Sequence, residues 1–149
     1  MSLDYDLYAG ESLSEKDFLG VIRHRMGFKL KGREFSAPGL TGVVFETDAV
    51  RNAILEEDLR MRMGWCAAMR IDLSAYDPEK GHLGIETAAR LALHLCKQGA
   101  FDVLLLFNGE TPFLIRRRGK LHLQRSFWSA LDRLSLVDVP YKLEDLPAL

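Results

Sequence analysis

Residues 101–125, FDVLLLFNGETPFLIRRRGKLHLQR, constrain the fold more than any other stretch of the chain. Phe101 to Phe107 is an apolar run rich in strand formers and too short for a helix of its own. Asn108-Gly109 follows at once, and that pair favours a two-residue turn with positive φ at both positions, the usual joint between antiparallel strands. Phe113-Leu114-Ile115 brings the chain back, three arginines carry it outward, and Gly119 permits a second reversal. Leu121 and Leu123 alternate with His122 and Gln124, giving one apolar and one wet face. The stretch reads as a three-stranded meander.

The rest of the chain supplies partners for it. Leu3, Tyr5 and Leu7 alternate with Asp4, Asp6 and Tyr8, a first strand whose two acids lie on a solvated face. Ser14 is placed to cap a helix, with Leu13 and Phe18 as a hydrophobic staple and Phe18, Leu19, Ile22 and Met26 as its inner stripe. Phe28 to Leu30 and Glu34 to Ser36 read as a hairpin around Lys31-Gly32, and Thr41 to Phe45 as a strand after the turn Ala37-Pro38-Gly39. Residues 48–59 favour a short helix, with Asp48 able to cap it and Val50, Ile54, Leu55 and Leu59 on one face; Arg60 to Arg62 have no clear period, and whether 46–62 is helical throughout stays open. Trp65 to Leu73 is a strand and Ala75 to His82 a loop. From Leu83 to Lys97 the apolar stripe (Ile85, Ala88, Ala92, Leu95) is wide enough for a helix covered on more than one side, with Gly99 as its left-handed stop. Ser126 to Leu134 suits a short helix carrying Phe127, Trp128 and Leu131, and the end of the chain suits an extended tail. The expectation is one α+β domain over 1–149: a mainly antiparallel sheet with a C-terminal three-stranded meander and two principal helices packed on one face.

At 149 residues a single core can bury roughly 68–70% of the unfolded surface without metals or disulfides. The net charge of −1 argues against a general nucleic-acid binder. No run approaches the ~20 apolar residues of a membrane span, and MSLDYDLYAG has acids where a signal peptide needs a basic segment, so a cytoplasmic location is expected. Cys66 and Cys96 stand far apart among apolar residues and read as buried free thiols. His24, His82, His94 and His122 have no metal-ligand spacing, and no nucleophile elbow, phosphate loop or dinucleotide fingerprint is present. No catalytic, metal or cofactor residue is nominated. What stands out is uneven charge: Arg116, Arg117, Arg118 and Lys120 cluster on one hairpin, and Glu56, Glu57 and Asp58 form an acidic run. With Glu110 beside the Asn-Gly turn, these are the candidate contacts for a protein partner.

Two blocks carry a likeness. Leu3-Asp4-Tyr5-Asp6-Leu7 precedes a short capped helix; Asp102-Val103-Leu104-Leu105-Leu106-Phe107-Asn108-Gly109-Glu110 runs on into Leu114-Ile115-Arg116-Arg117-Arg118-Gly119. Together they resemble the Sit-type immunity proteins, partners of the myxobacterial swarming-inhibition toxins. Arg70-Ile71-Asp72 matches loosely, and residues 28–62 depart from the pattern. The resemblance implies a small cytoplasmic bacterial protein that neutralises a cognate toxin by binding it, with no catalytic residue to carry over. From the residues alone two alternatives stay open. One is a binding or assembly module, homodimeric through a sheet edge; the other is an enzyme whose site is assembled from distant residues.

Overall fold

The computed structural model describes residues 3–25, 27–73 and 78–149. Met26 of the expected first helix, and Ala75 to Asp77 of the expected loop, lie outside them. Strand β1 (Asp4–Gly10) leads into helix α1 (Glu15–Arg23), then β2 (Lys29–Lys31), β3 (Glu34–Ala37) and β4 (Leu40–Glu46). Helix α2 (Ala49–Leu59), β5 (Met63–Ile71) and helix α3 (Pro78–Cys96) come next. The expected meander is β6 (Val103–Phe107), β7 (Thr111–Arg117) and β8 (Lys120–Gln124); a short helix α4 (Arg125–Trp128), a 3₁₀ stretch (Ala130–Leu136) and β9 (Lys142–Glu144) complete the chain.

Among the described residues the nine strands form one sheet in the order β2-β3-β4-β5-β1-β6-β7-β8-β9. Every pairing is antiparallel except β8 with β9. The meander therefore forms one wing, and β1, paired with β5 on one side and β6 on the other, is the middle strand. The turn between β6 and β7 has the expected positive φ, 49° at Asn108 and 76° at Gly109. Phe107 pairs with Thr111, however, so the connection holds three residues rather than two, and a register shift follows between Leu105 and Leu106. Asn108 also extends the ladder of β1: its N–H donates to the Asp4 carbonyl at 2.7 Å and its Oδ1 accepts from the Asp4 N–H at 3.0 Å.

The two faces carry separate cores. Tyr5, Leu7 and Ala9 of β1 point into the larger one with Phe18 and Ile22 of α1 and Ala88, Leu91 and Leu95 of α3, so the two principal helices share a face as expected. Ser14 caps α1, accepting from the Asp17 N–H at 3.1 Å. Tyr8 points the other way, into a smaller core of Leu55, Leu59, Met63, Cys66, Leu104, Leu106 and Ile115, where α2 lies.

Several local expectations shift, each for a physical reason. In α2 the buried positions are Asn52, Leu55 and Leu59, while Val50 is 73% exposed and Ile54 40%. The helix is turned because the Asn52 amide bonds both backbone groups of Met63, donating to its carbonyl at 2.9 Å and accepting from its N–H at 2.8 Å. That closed pair satisfies a buried amide and sets the rotation of the helix. Leu73 and Leu131 are exposed rather than packed. Leu131 has φ of 51°, which breaks the expected 126–134 helix in two and turns Arg133 inward in its place. Helix α3 starts at Pro78, ahead of Leu83, and runs through Gly81 and Gly84. Gly84 is required there, because a Cβ would collide with the Gly39 carbonyl of the β3–β4 turn. The neighbouring Thr87 hydroxyl donates to the Pro38 carbonyl at 3.0 Å.

This close approach yields a test. Gly84→Ala should lower stability by about 1–3 kcal/mol through overpacking against backbone that cannot yield. Urea midpoints of the two proteins measure it, and an unchanged midpoint contradicts the docking of α3 on that turn.

Candidate functional site

The basic hairpin is placed by the alternation of β7. Arg116 leaves the sheet on the side of α3, and Arg117 on the side of α2. The Arg116 guanidinium donates to the carbonyls of Cys96, Gly99 (2.7 Å) and Phe101 (3.2 Å from Nε), and sits 5.4 Å over the Phe101 ring. Gly99 does not take the left-handed conformation expected of a helix stop. An arginine from a strand closes the C-terminal end of α3 instead, where unpaired carbonyls and the negative end of the helix dipole favour a cation. Arg117 donates to the Leu59 carbonyl at the end of α2, one residue before the left-handed Arg60. Two of the three consecutive arginines thus fasten one helix to each face of the sheet. Arg118 and Lys120 are exposed at the β7–β8 turn, where the Arg118 N–H donates to Asp102 Oδ1 at 3.1 Å.

The acidic nominees divide in the same way. Glu56 pairs with Arg62 at 3.7 Å, and Arg62 with Glu11 at 2.9 Å. Glu57 and Asp58 are exposed and form no ion pair among the described residues. Glu110 is exposed at its turn, and its carbonyl accepts from the Leu149 N–H at 2.8 Å, holding the end of the tail. The eight nominated residues therefore do not converge on one spot.

The structure brings together a different set. Helix α2 crosses the strands from Met63 on β5 to Arg117 on β7. On the same face lies an open groove of about 820 Å³, rimmed by Asn108 and Gly109. Its floor includes a transverse row of register partners, Glu34 on β3, Val43 on β4, Ala68 on β5 and Asp6 on β1. Beside that row Arg70 pairs with Asp4 at 3.3 Å. At the rim Arg51 of α2 reaches the Gly109 carbonyl at 3.3 Å. Asp6, half-buried, has neither ion pair nor side-chain hydrogen bond among the described residues. Burial pushes its carboxyl above the ordinary range, Arg51 pulls it back, and Asp4 raises it again. The solvated face expected of Asp4 and Asp6 is found only in part: 45% of the Asp4 side chain is exposed, whereas Asp6 is half-buried.

Other ionisable groups belong to the framework. Burial pushes both thiols up, Cys96 to about 11 and Cys66 well above the ordinary thiol range. Tyr5 rises to about 12, mainly by burial, with Arg133 opposing and Glu86 adding. The Arg133–Glu86 pair, at 2.6 Å, is itself buried on the arginine side, with the guanidinium 4.2 Å over the Phe127 ring. His94 is lowered by burial and by Arg25 and Lys97, and His122 Nδ1 lies 2.9 Å from Glu144. Among the described residues no group of three His, Cys, Asp or Glu could hold a metal ion, and no helix is long and apolar enough to cross a membrane.

A family model described as SitI3-like matches residues 3–132. The chain belongs to the SitI3-like family. No curated protein and no solved structure matches it. The SitI3-like match takes in the meander, both helix-fastening arginines and the whole groove, and it ends one residue short of Arg133. The last seventeen residues, 133–149, still contribute to the fold: Arg133 through its pair with Glu86, then β9, then Leu146 and Leu149 against the smaller core. Buried Gln124 secures that tail, donating to the Leu146 carbonyl at 2.8 Å and accepting from its N–H at 3.1 Å.

The arginine assignments predict a contrast. Arg116→Ala and Arg117→Ala should each destabilise by about 1–3 kcal/mol, because charged hydrogen bonds to carbonyls at helix ends are lost. Arg118→Ala should stay within about 0.5 kcal/mol. Thermal or urea unfolding of the three variants decides it; equal behaviour contradicts the division of the cluster.

Proposed function

We propose that this protein is an immunity protein that acts in the cytoplasm, binding a cognate toxin and blocking it without catalysis. Membership of the SitI3-like family over residues 3–132 carries the reading. Physical features support it. Neutralisation by binding needs a rigid surface of matched shape and charge, and nine strands with helices on both faces provide a rigid body. The thiols, the most nucleophilic side chains available, are buried and held protonated, which disfavours a nucleophilic enzyme.

Homodimerisation through a sheet edge is the weaker reading. The edge strands β2 and β9 are three residues each and display Lys29, Lys31 and Lys142, all exposed. Short, charged edges resist strand addition. The contact is proposed instead on the α2 side, where Glu57 and Asp58 form no ion pair among the described residues, with Glu110 at its margin. Arg118 and Lys120 remain to steer an acidic region of the partner.

Affinity purification of the tagged protein from its source, followed by expression of the captured partner alone and together with it, tests the proposal. The expected result is a partner that arrests growth alone and is harmless when co-expressed. A captured partner with no toxicity contradicts the immunity reading.

A further inference from the structure

The groove beside α2 has a definite chemical pattern. Glu34, Val43, Ala68 and Asp6 are successive cross-strand partners, so they stand in one line across four neighbouring strands. Strands lie ~4.7–4.9 Å apart, which puts the two carboxylates roughly 14 Å from each other with an apolar floor between them. Val43 is 41% exposed, more than a valine that the chain itself covers. Of the cations nearby, Arg70 pairs with Asp4, and Arg51 donates to the Gly109 carbonyl and reaches Asp6 only through its charge, without an ion pair. Glu34 and Asp6 have no ion-pair partner among the described residues. A half-buried carboxylate has lost part of its hydration, and a cation brought to it from outside restores what the chain does not supply.

We infer that this groove receives an extended, doubly basic segment of the partner protein, with an apolar residue between two arginines or lysines. In an extended chain, side chains at positions i, i+2 and i+4 share a face, and the outer two are roughly 13–14 Å apart. That span matches the distance from Glu34 to Asp6, and the central apolar side chain falls on Val43 and Ala68. A planar guanidinium meets a carboxylate through paired hydrogen bonds, so arginine suits both ends. Burial raises the Asp6 carboxyl in the free protein, and an arriving cation favours its charged form. The inference rests on the proposal that the protein acts by binding another protein, and it adds which face and what recognition pattern.

A peptide tests the groove without the partner. The capped pentapeptide acetyl-Arg-Ser-Val-Ser-Arg-amide is titrated into the whole protein and followed by NMR at the Glu34, Val43, Ala68 and Asp6 signals. The expected result is saturable shifts confined to these residues and their neighbours, with affinity about tenfold weaker for the glutamine analogue acetyl-Gln-Ser-Val-Ser-Gln-amide. Glu34→Gln, at an exposed position, should weaken the arginine peptide by severalfold. Asp6→Asn should do so more strongly, and its urea midpoint verifies that it folds. Equal binding of the two peptides, or shifts centred on Glu57 and Asp58, overturns the inference. Such a result leaves the immunity proposal standing, whereas a captured partner without toxicity removes that proposal and leaves the peptide result intact.

Discussion

Everything in this fold hangs on β1, a seven-residue strand that pairs along its length with β5 and β6. Its partners lie about sixty and a hundred residues away, so the sheet cannot close until both long connections are made. Side-chain alternation makes the strand two-sided: Tyr5, Leu7 and Ala9 enter the α1–α3 core, and Asp6 and Tyr8 enter the α2 side. A one-residue slip would exchange the two sets and bury Asp6 beneath α3. The register of β1 therefore fixes both cores at once, and with them the position of the groove.

The arginines of β7 are the second fixed point. Adjacent residues on a strand face opposite ways, and this chain uses Arg116 and Arg117 to close the C-terminal ends of helices on opposite faces. A surface cluster of that charge is usually worth little to stability. Here the guanidinium groups meet backbone carbonyls that would otherwise lack donors, so their contribution is structural. The same reasoning explains why a helix stop without left-handed glycine is tolerated at Gly99.

Much of this was legible in the sequence, and the failures share a cause. The meander, the capped helix α1, the β2–β3 hairpin and the apolar α3 come from local patterns of turn residues and periodicity, and they stand in the structure. The position of β1 at the centre was not legible, because strand order depends on pairings between residues far apart. The rotation of α2 was not legible, because one amide, Asn52, outweighs two apolar side chains, Val50 and Ile54. The charge cluster on 116–120 was visible, but its division between helix ends and surface was not, since the carbonyls it meets come from other elements. Asp6 and Glu34 could be joined only by knowing that β3, β4, β5 and β1 are neighbours. Two acids on the polar face of a strand were the one sequence signal of that groove.

The proposed docking of the partner on the sheet face beside α2 is checked by methyl cross-saturation in the complex with the captured partner, which reports the side chains that lie against the other protein. Saturation should be strongest at the methyl groups of Val43 and Ala68, with only a weak effect at amides of the β7–β8 turn. Saturation concentrated at Arg118 and Lys120, with Val43 and Ala68 unaffected, would place the interface on the basic hairpin and contradict the account.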